Sequence, residues 1–134
     1  GTDADFAYGV AVKPGCATNC SAYVTGVTYA RDFPTTTGAF DRSISGGVDA
    51  FVTMLKGDGT LSLGTPSAPT DSHSTFLGGG GFEAGYAIAV DAGGNAYITG
   101  ESLSSNFPIT PFAARTAPLR VTSTFSPKWF SRVT

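Results

Sequence analysis

Apolar positions in this chain arrive in short bursts separated by glycine-containing turns. "YGVAV", "AYVTG", "DAFVTML", "LSLG", "STFLG", "YAIAV" and "AYITG" are rich in β-branched and aromatic residues and have the length of strands. In "AYITG" Tyr97 and Thr99 fall on one face while Ala96, Ile98 and Gly100 fall on the other, the period of two that a strand requires. "KGDGT" (Lys56 to Thr60) sets Asp-Gly between apolar runs and predicts a hairpin, because a type I′ turn needs positive φ at both central residues. "DAGGN" (Asp91 to Asn95) predicts a second hairpin between "YAIAV" and "AYITG". No stretch sustains a helical period. The pattern predicts an all-β chain of antiparallel units.

The bursts also repeat. An offset of 74 residues pairs Ala22 with Ala96, Tyr23 with Tyr97 and Phe33 with Phe107, and aligns "AYVTGVTYARDFPTTTGA" with "AYITGESLSSNFPITPFA". Upstream, "AYGVAV" aligns with "GYAIAV" at an offset of 78. The four extra residues of the first copy lie between Val12 and Ala22, where "KPGCATNC" sits. This is an internal repeat, and a repeated unit relies on stacked neighbours to bury its faces.

"GYAIAVDAGGNAYITG…SSNFPIT", "GGVDAFVTMLKGDGT" and "STFLGGGG" together resemble the bacterial SBBP β-propeller repeat, from about Asp5 to Pro111. The resemblance implies four-stranded antiparallel blades arranged radially, with "DAFVTML" and "STFLGG" as outer strands. Residues 1–111 then hold one unit at about 5–82 and a partial second at 83–111, with a divergent tail at 112–134. "SLGTPSAPTDSHS" enlarges the link before "STFLGG". After Pro111 the family pattern leads to another "GG.DAFV" strand, whereas this chain reads "FAARTAPLRVTSTFSPKWFSRVT".

A propeller has about four to eight blades, so the expected ring is incomplete in this chain. The chain is then a piece of a longer propeller, a supplier of blades to a ring or filament of identical copies, or a sandwich that has left the family architecture. "LRVTSTF" and "KWFSRVT" are strand-like and basic, which predicts strand addition to a neighbour's edge through Arg115, Arg120, Phe125, Lys128, Trp129, Phe130 and Arg132. Trp129 is the best single candidate for an interface anchor. Tyr8, Tyr23, Tyr86 and Tyr97 recur at matched positions, and with Phe33, Phe51 and Phe107 are the expected blade-packing aromatics.

Composition changes the picture in two places. With 134 residues, 41% hydrophobic and 12% aromatic, the chain supports a packed core despite 18 glycines and 8 prolines. No apolar run approaches the ~20 residues of a membrane helix, and no signal peptide is visible. The net charge of −2 hides an asymmetry. All ten acids lie at or before Glu101, whereas Arg115, Arg120, Lys128 and Arg132 follow without an acid. That distribution argues against nucleic acid as the main partner and suits a basic tail on an acidic body.

Chemistry-bearing clusters are scarce. Cys16 and Cys20 admit a short local disulfide, free thiols or a metal; the disulfide is expected, and with it an oxidising, extracellular or cell-surface setting. Asn19-Cys20-Ser21 also spells a glycosylation acceptor. His73 has Asp71, Ser72 and Ser74 beside it, but neighbours within one loop lack the rigid geometry of a triad. Asp91 and Asn95 fit a turn, with calcium as the minor alternative, and no other cofactor is expected. "GGGG" (Gly78 to Gly81) reads as a hinge between blades. Phe33-Pro34 and Phe107-Pro108 read as plugs of the blade edge, or as sugar-stacking platforms. The expectation is a non-enzymatic structural or assembly module, a glycan-binding module being the alternative.

Overall fold

A computed structural model describes residues 1–58 and 73–109, and the backbone alone of a strand at 128–133. The bursts become β1 (Asp5–Val12), β2 (Ala22–Thr28), β3 (Asp49–Leu55), β4 (His73–Leu77), β5 (Glu83–Val90), β6 (Ala96–Ser102) and β7 (Lys128–Val133). No helix occurs among the described residues. β1 to β4 form one antiparallel sheet in the order β1-β2-β3-β4, with the "DAFVTML" strand third and the "STFLG" strand at the edge beyond it. β5, β6 and β7 form a second antiparallel sheet. Among the described residues the architecture is all-β with no closed ring.

The second sheet stacks on the first through β5, which lies against β1, β2 and β3. Tyr23, Ala50, Val52 and Leu77 from the first sheet and Ala96 and Ile98 from the second form the buried cluster. Met54, Ile88, Val90 and Phe107 close over it. On the far side of the first sheet the Phe33 ring sits 4.6 Å from that of Phe51 and 5.9 Å from that of Phe76. Burial of such aromatics supplies much of a small β core's stability.

The repeat is a structural one. β1 and β5 each carry a register shift at the same point, between Ala7 and Gly9 and between Gly85 and Ala87. Opposite the shift stands the glycine of "AYVTG" or "AYITG". A Cβ at Gly26 would lie 1.9 Å from the Phe6 carbonyl oxygen, and one at Gly100 2.1 Å from that of Ala84. The bulge pushes a carbonyl across the pleat, and only glycine leaves room for it.

Within the chain β7, "KWFSRV", pairs antiparallel with β6, Gly100 opposite Trp129 and Tyr97 opposite Arg132. In the first sheet Gly26 stands opposite Phe51 and Tyr23 opposite Met54. β7 therefore takes in the second sheet the register position of β3 in the first. Arg115, Arg120 and Phe125 lie outside the described residues, as do the "LSLG" strand, Asp71 and Ser72. β3 pairs with β4, and the hairpin expected at Lys56 to Thr60 runs into residues 59–72, outside the described residues.

Candidate functional site: linker clips and open blade faces

Each sheet begins by gripping the segment that enters it. Glu83, the first residue of β5, is fully buried, and its carboxylate accepts from the Gly79 N–H (2.7 Å), the Ser102 hydroxyl (2.8 Å) and the Ser104 hydroxyl (2.5 Å). Asn106 Oδ1 accepts from the Gly80 N–H at 2.8 Å, and Ser104 Oγ from that of Gly81 at 2.7 Å. The "GGGG" segment is thus pinned by three side chains, which overturns its reading as a hinge. Gly79 and Gly81 also have no room for a Cβ against Ser104.

The first sheet repeats the clip. Asp5 holds the position of Glu83; it accepts from the Thr28 hydroxyl and from the amine of Gly1, each at 2.5 Å. Asp32 holds the position of Asn106 and accepts from the Thr2 N–H (2.8 Å) and hydroxyl (2.9 Å). Those Thr2 bonds hold the Asp32 carboxyl below its ordinary range, the backbone donor contributing most. The Tyr29 N–H to Ala4 carbonyl bond is matched by that of Leu103 to Phe82. Residues 1–4 therefore lie in the first sheet as residues 79–82 lie in the second.

Asp49, at the start of β3, sits beside the second clip. It is fully buried; Oδ2 accepts from the Ser45 N–H at 3.0 Å, while Oδ1 has no hydrogen-bond partner among the described residues. Burial pushes its carboxyl up to about 6, opposed by the Ser45 bond and reinforced by Glu83 and Asp41. Sequence reasoning passed over Glu83, Asp5 and Asp49, since each is a lone acid at a strand start. Their shared offset of 78 for Asp5 and Glu83 was the available signal.

The sheet faces are the larger feature. On the face of the first sheet turned away from the second, Val10 is 68% exposed, Val12 52% exposed and Val24 half-buried. Their counterparts by offset are Ile88, Val90 and Ile98, which close the contact between the two sheets. On the outward face of the second sheet Ala87, Ala89 and Tyr97 are exposed. Their counterparts Gly9, Ala11 and Tyr23 face inward. Tyr8 and Tyr86 lie at the bulges with ring centroids 6.0 Å apart, and both remain about half exposed. The Tyr86 hydroxyl donates to Glu101 at 2.5 Å, a bond that pushes it up to about 12.

The remaining predicted residues fall apart from these faces. Cys16 and Cys20 form a disulfide in the β1–β2 loop, with Cα atoms 5.6 Å apart. Asp91 closes the β5–β6 turn, accepting from the Asn95 N–H (2.9 Å), the Asn95 amide (2.7 Å) and the Tyr97 hydroxyl (3.1 Å). The Asn95 bonds hold its carboxyl at about 2. Ser74 is committed to the Pro34 carbonyl at 2.6 Å and to the Thr53 hydroxyl, away from any triad geometry with His73. A cleft of about 470 Å³ opens near that end of the sheets, lined in part by Lys13, Tyr23, Phe40, Met54, His73 and Gly94. Phe33 and Phe107 are half-buried, while Phe40, in the loop before β3, is 67% exposed.

Two bulged sheets, offset by one repeat and stacked through matching faces, have the design of successive propeller blades. The family model for the SBBP beta-propeller repeat matches residues 83–108. Residues 83–108 are therefore similar to one SBBP-type repeat. The matched segment spans β5, its turn, β6 and the loop to Asn106, which supply the acceptor side chains of the clip, while Gly79–Gly81 lie outside it. No curated protein matches the chain.

Proposed function

We propose that this chain is a non-enzymatic, secreted structural module whose open sheet faces pack against further β-propeller blades. The exposed Val10 and Val12 carry the reading, because the residues equivalent to them in the SBBP segment, Ile88 and Val90, are packed against a blade. Exposed apolar sheet surface of this kind is characteristic of interaction sites. The Cys16–Cys20 disulfide supports the extracellular part of the reading, since such bonds persist in oxidising compartments. The scattered acids and the engaged Ser74 support a module without a reaction to catalyse.

A photo-crosslinking residue at position 10, used in the native cell, tests the proposal. Adducts are expected to map by mass spectrometry to strands of SBBP-type repeats, in this chain or another. Adducts that contain no such repeat would overturn it.

The cleft near His73 favours a second reading, a glycan-binding module. Phe40 and Tyr23 offer aromatic surface beside polar groups, the mixture that small-ligand sites use. Calorimetric titration with a panel of oligosaccharides, repeated on Phe40→Ala, tests it; a signal insensitive to that substitution would count against the cleft.

A further inference from the structure

We infer that the open face of the first sheet takes the outward face of the second sheet of another copy of this chain, head to tail. The inference rests on the blade-packing reading above and adds the identity of the partner.

The contact inside one molecule supplies the template. Gly9 of the first sheet faces the second so closely that a Cβ there would lie 3.1 Å from Ala87 Cα and 3.2 Å from Ile88 N. Shifting both partners by one repeat turns this contact into Ala87 of one copy against Gly9 and Val10 of the next. The small-residue pairing survives the shift, because glycine and alanine merely exchange sides. Val10 and Val12 then fill the places that Ile88 and Val90 fill in the internal contact. Val10 is one methylene smaller than Ile88 and Val12 is the same residue as Val90, so no overpacking arises at those positions.

Both halves of the contact are present and exposed among the described residues, Val10 on one side and Ala87 on the other. The clips keep the sheets in fixed relative position at Gly79–Gly81, so the two faces are presented rigidly. The charge distribution agrees in sign: the second sheet ends in the basic β7 segment, whereas the first lies wholly within the acidic part of the chain. A head-to-tail contact closes into a ring if its rotation permits, and otherwise grows into a filament.

Complementation between two surface variants tests the inference. V10K spoils one face and A87K the other, and both residues are exposed, so far-UV circular dichroism is expected to be unchanged. Wild-type chain in sedimentation velocity is expected to rise in mass with concentration. Each variant alone is expected to dissociate at concentrations at least about tenfold higher than those that dissociate the wild type. Mixed in equal amounts, V10K and A87K each retain one intact and complementary face, and are expected to form a dimer that grows no further. A wild-type chain that stays monomeric, or variants that associate no better mixed than alone, would overturn the inference. If in-cell crosslinks at position 10 meanwhile reach SBBP-type repeats of a different protein, the blade-packing reading stands and only the partner is wrong.

Discussion

Glu83 and Asp5 do the same work in different surroundings. Glu83 is fully buried, with three donors, whereas Asp5 keeps access to water. Glu83→Ala strands the Gly79 N–H and two hydroxyls in the interior and is expected to cost about 3–4 kcal/mol. Asp5→Ala is expected to cost less than about 1 kcal/mol. Urea melts of the two variants check the contrast. Asp49 and Asp91 give the protein a stability maximum on the acid side of neutrality. Because the folded state holds Asp49 protonated up to about 6, its contribution to stability falls as pH rises from about 4 to about 6. Asp91, held at about 2, contributes fully above about 4 and loses that contribution as pH falls toward 2. Urea midpoints are therefore expected to peak near pH 4. Asp49→Asn should flatten the limb above the peak and Asp91→Asn the limb below it.

At the scale of the element, the bulge and its facing glycine define the first two strands of each sheet. Gly26→Ala and Gly100→Ala drive a methyl into a backbone carbonyl, and each is expected to cost about 3 kcal/mol or more by chemical denaturation. The strands themselves were legible, because period-two alternation and turn residues are local signals. The bulge was not, since it depends on how two strands meet rather than on either alone. The clip was hidden for the same reason: Asn106 and Gly80 are far apart in sequence and meet only after β5 and β6 pair. "KWFSRV" was legible as a strand, but its destination was not. An edge strand's partner is set by which ladder lies open nearby, and the edge of β6 lies within its own chain. Ending the chain after residue 109 removes β7 and bares that edge. Light scattering is expected to show more association on truncation, with amyloid-type dye binding as the mark of edge pairing. The Cys16–Cys20 bridge closes a loop so small that Cys16→Ser with Cys20→Ser is expected to lose about 2 kcal/mol or less.

The described residues form two sheets stacked in one direction, which leaves a different open face at each end. That polarity makes continued stacking the natural way to cover the valines of β1. Blades number about four to eight in closed propellers, so two to four copies of a two-sheet chain match that range. The sequence carried this whole-molecule feature only as a repeat count. Which face stays open depends on the stacking of β5 on β1 and β2, a relation between distant segments that no local pattern encodes.

The offset also makes the chain its own control. Val10 and Ile88, Asp5 and Glu83, and Gly26 and Gly100 are pairs in which one local design stands twice, once beside a neighbouring sheet and once without one. Trimming Ile88 to Val and then both positions to Ala compares the same side chain in the two settings. The difference between the paired losses measures what an adjoining blade contributes, within one polypeptide and one melting curve. A single molecule therefore reports the strength of a blade contact before any assembly has been observed.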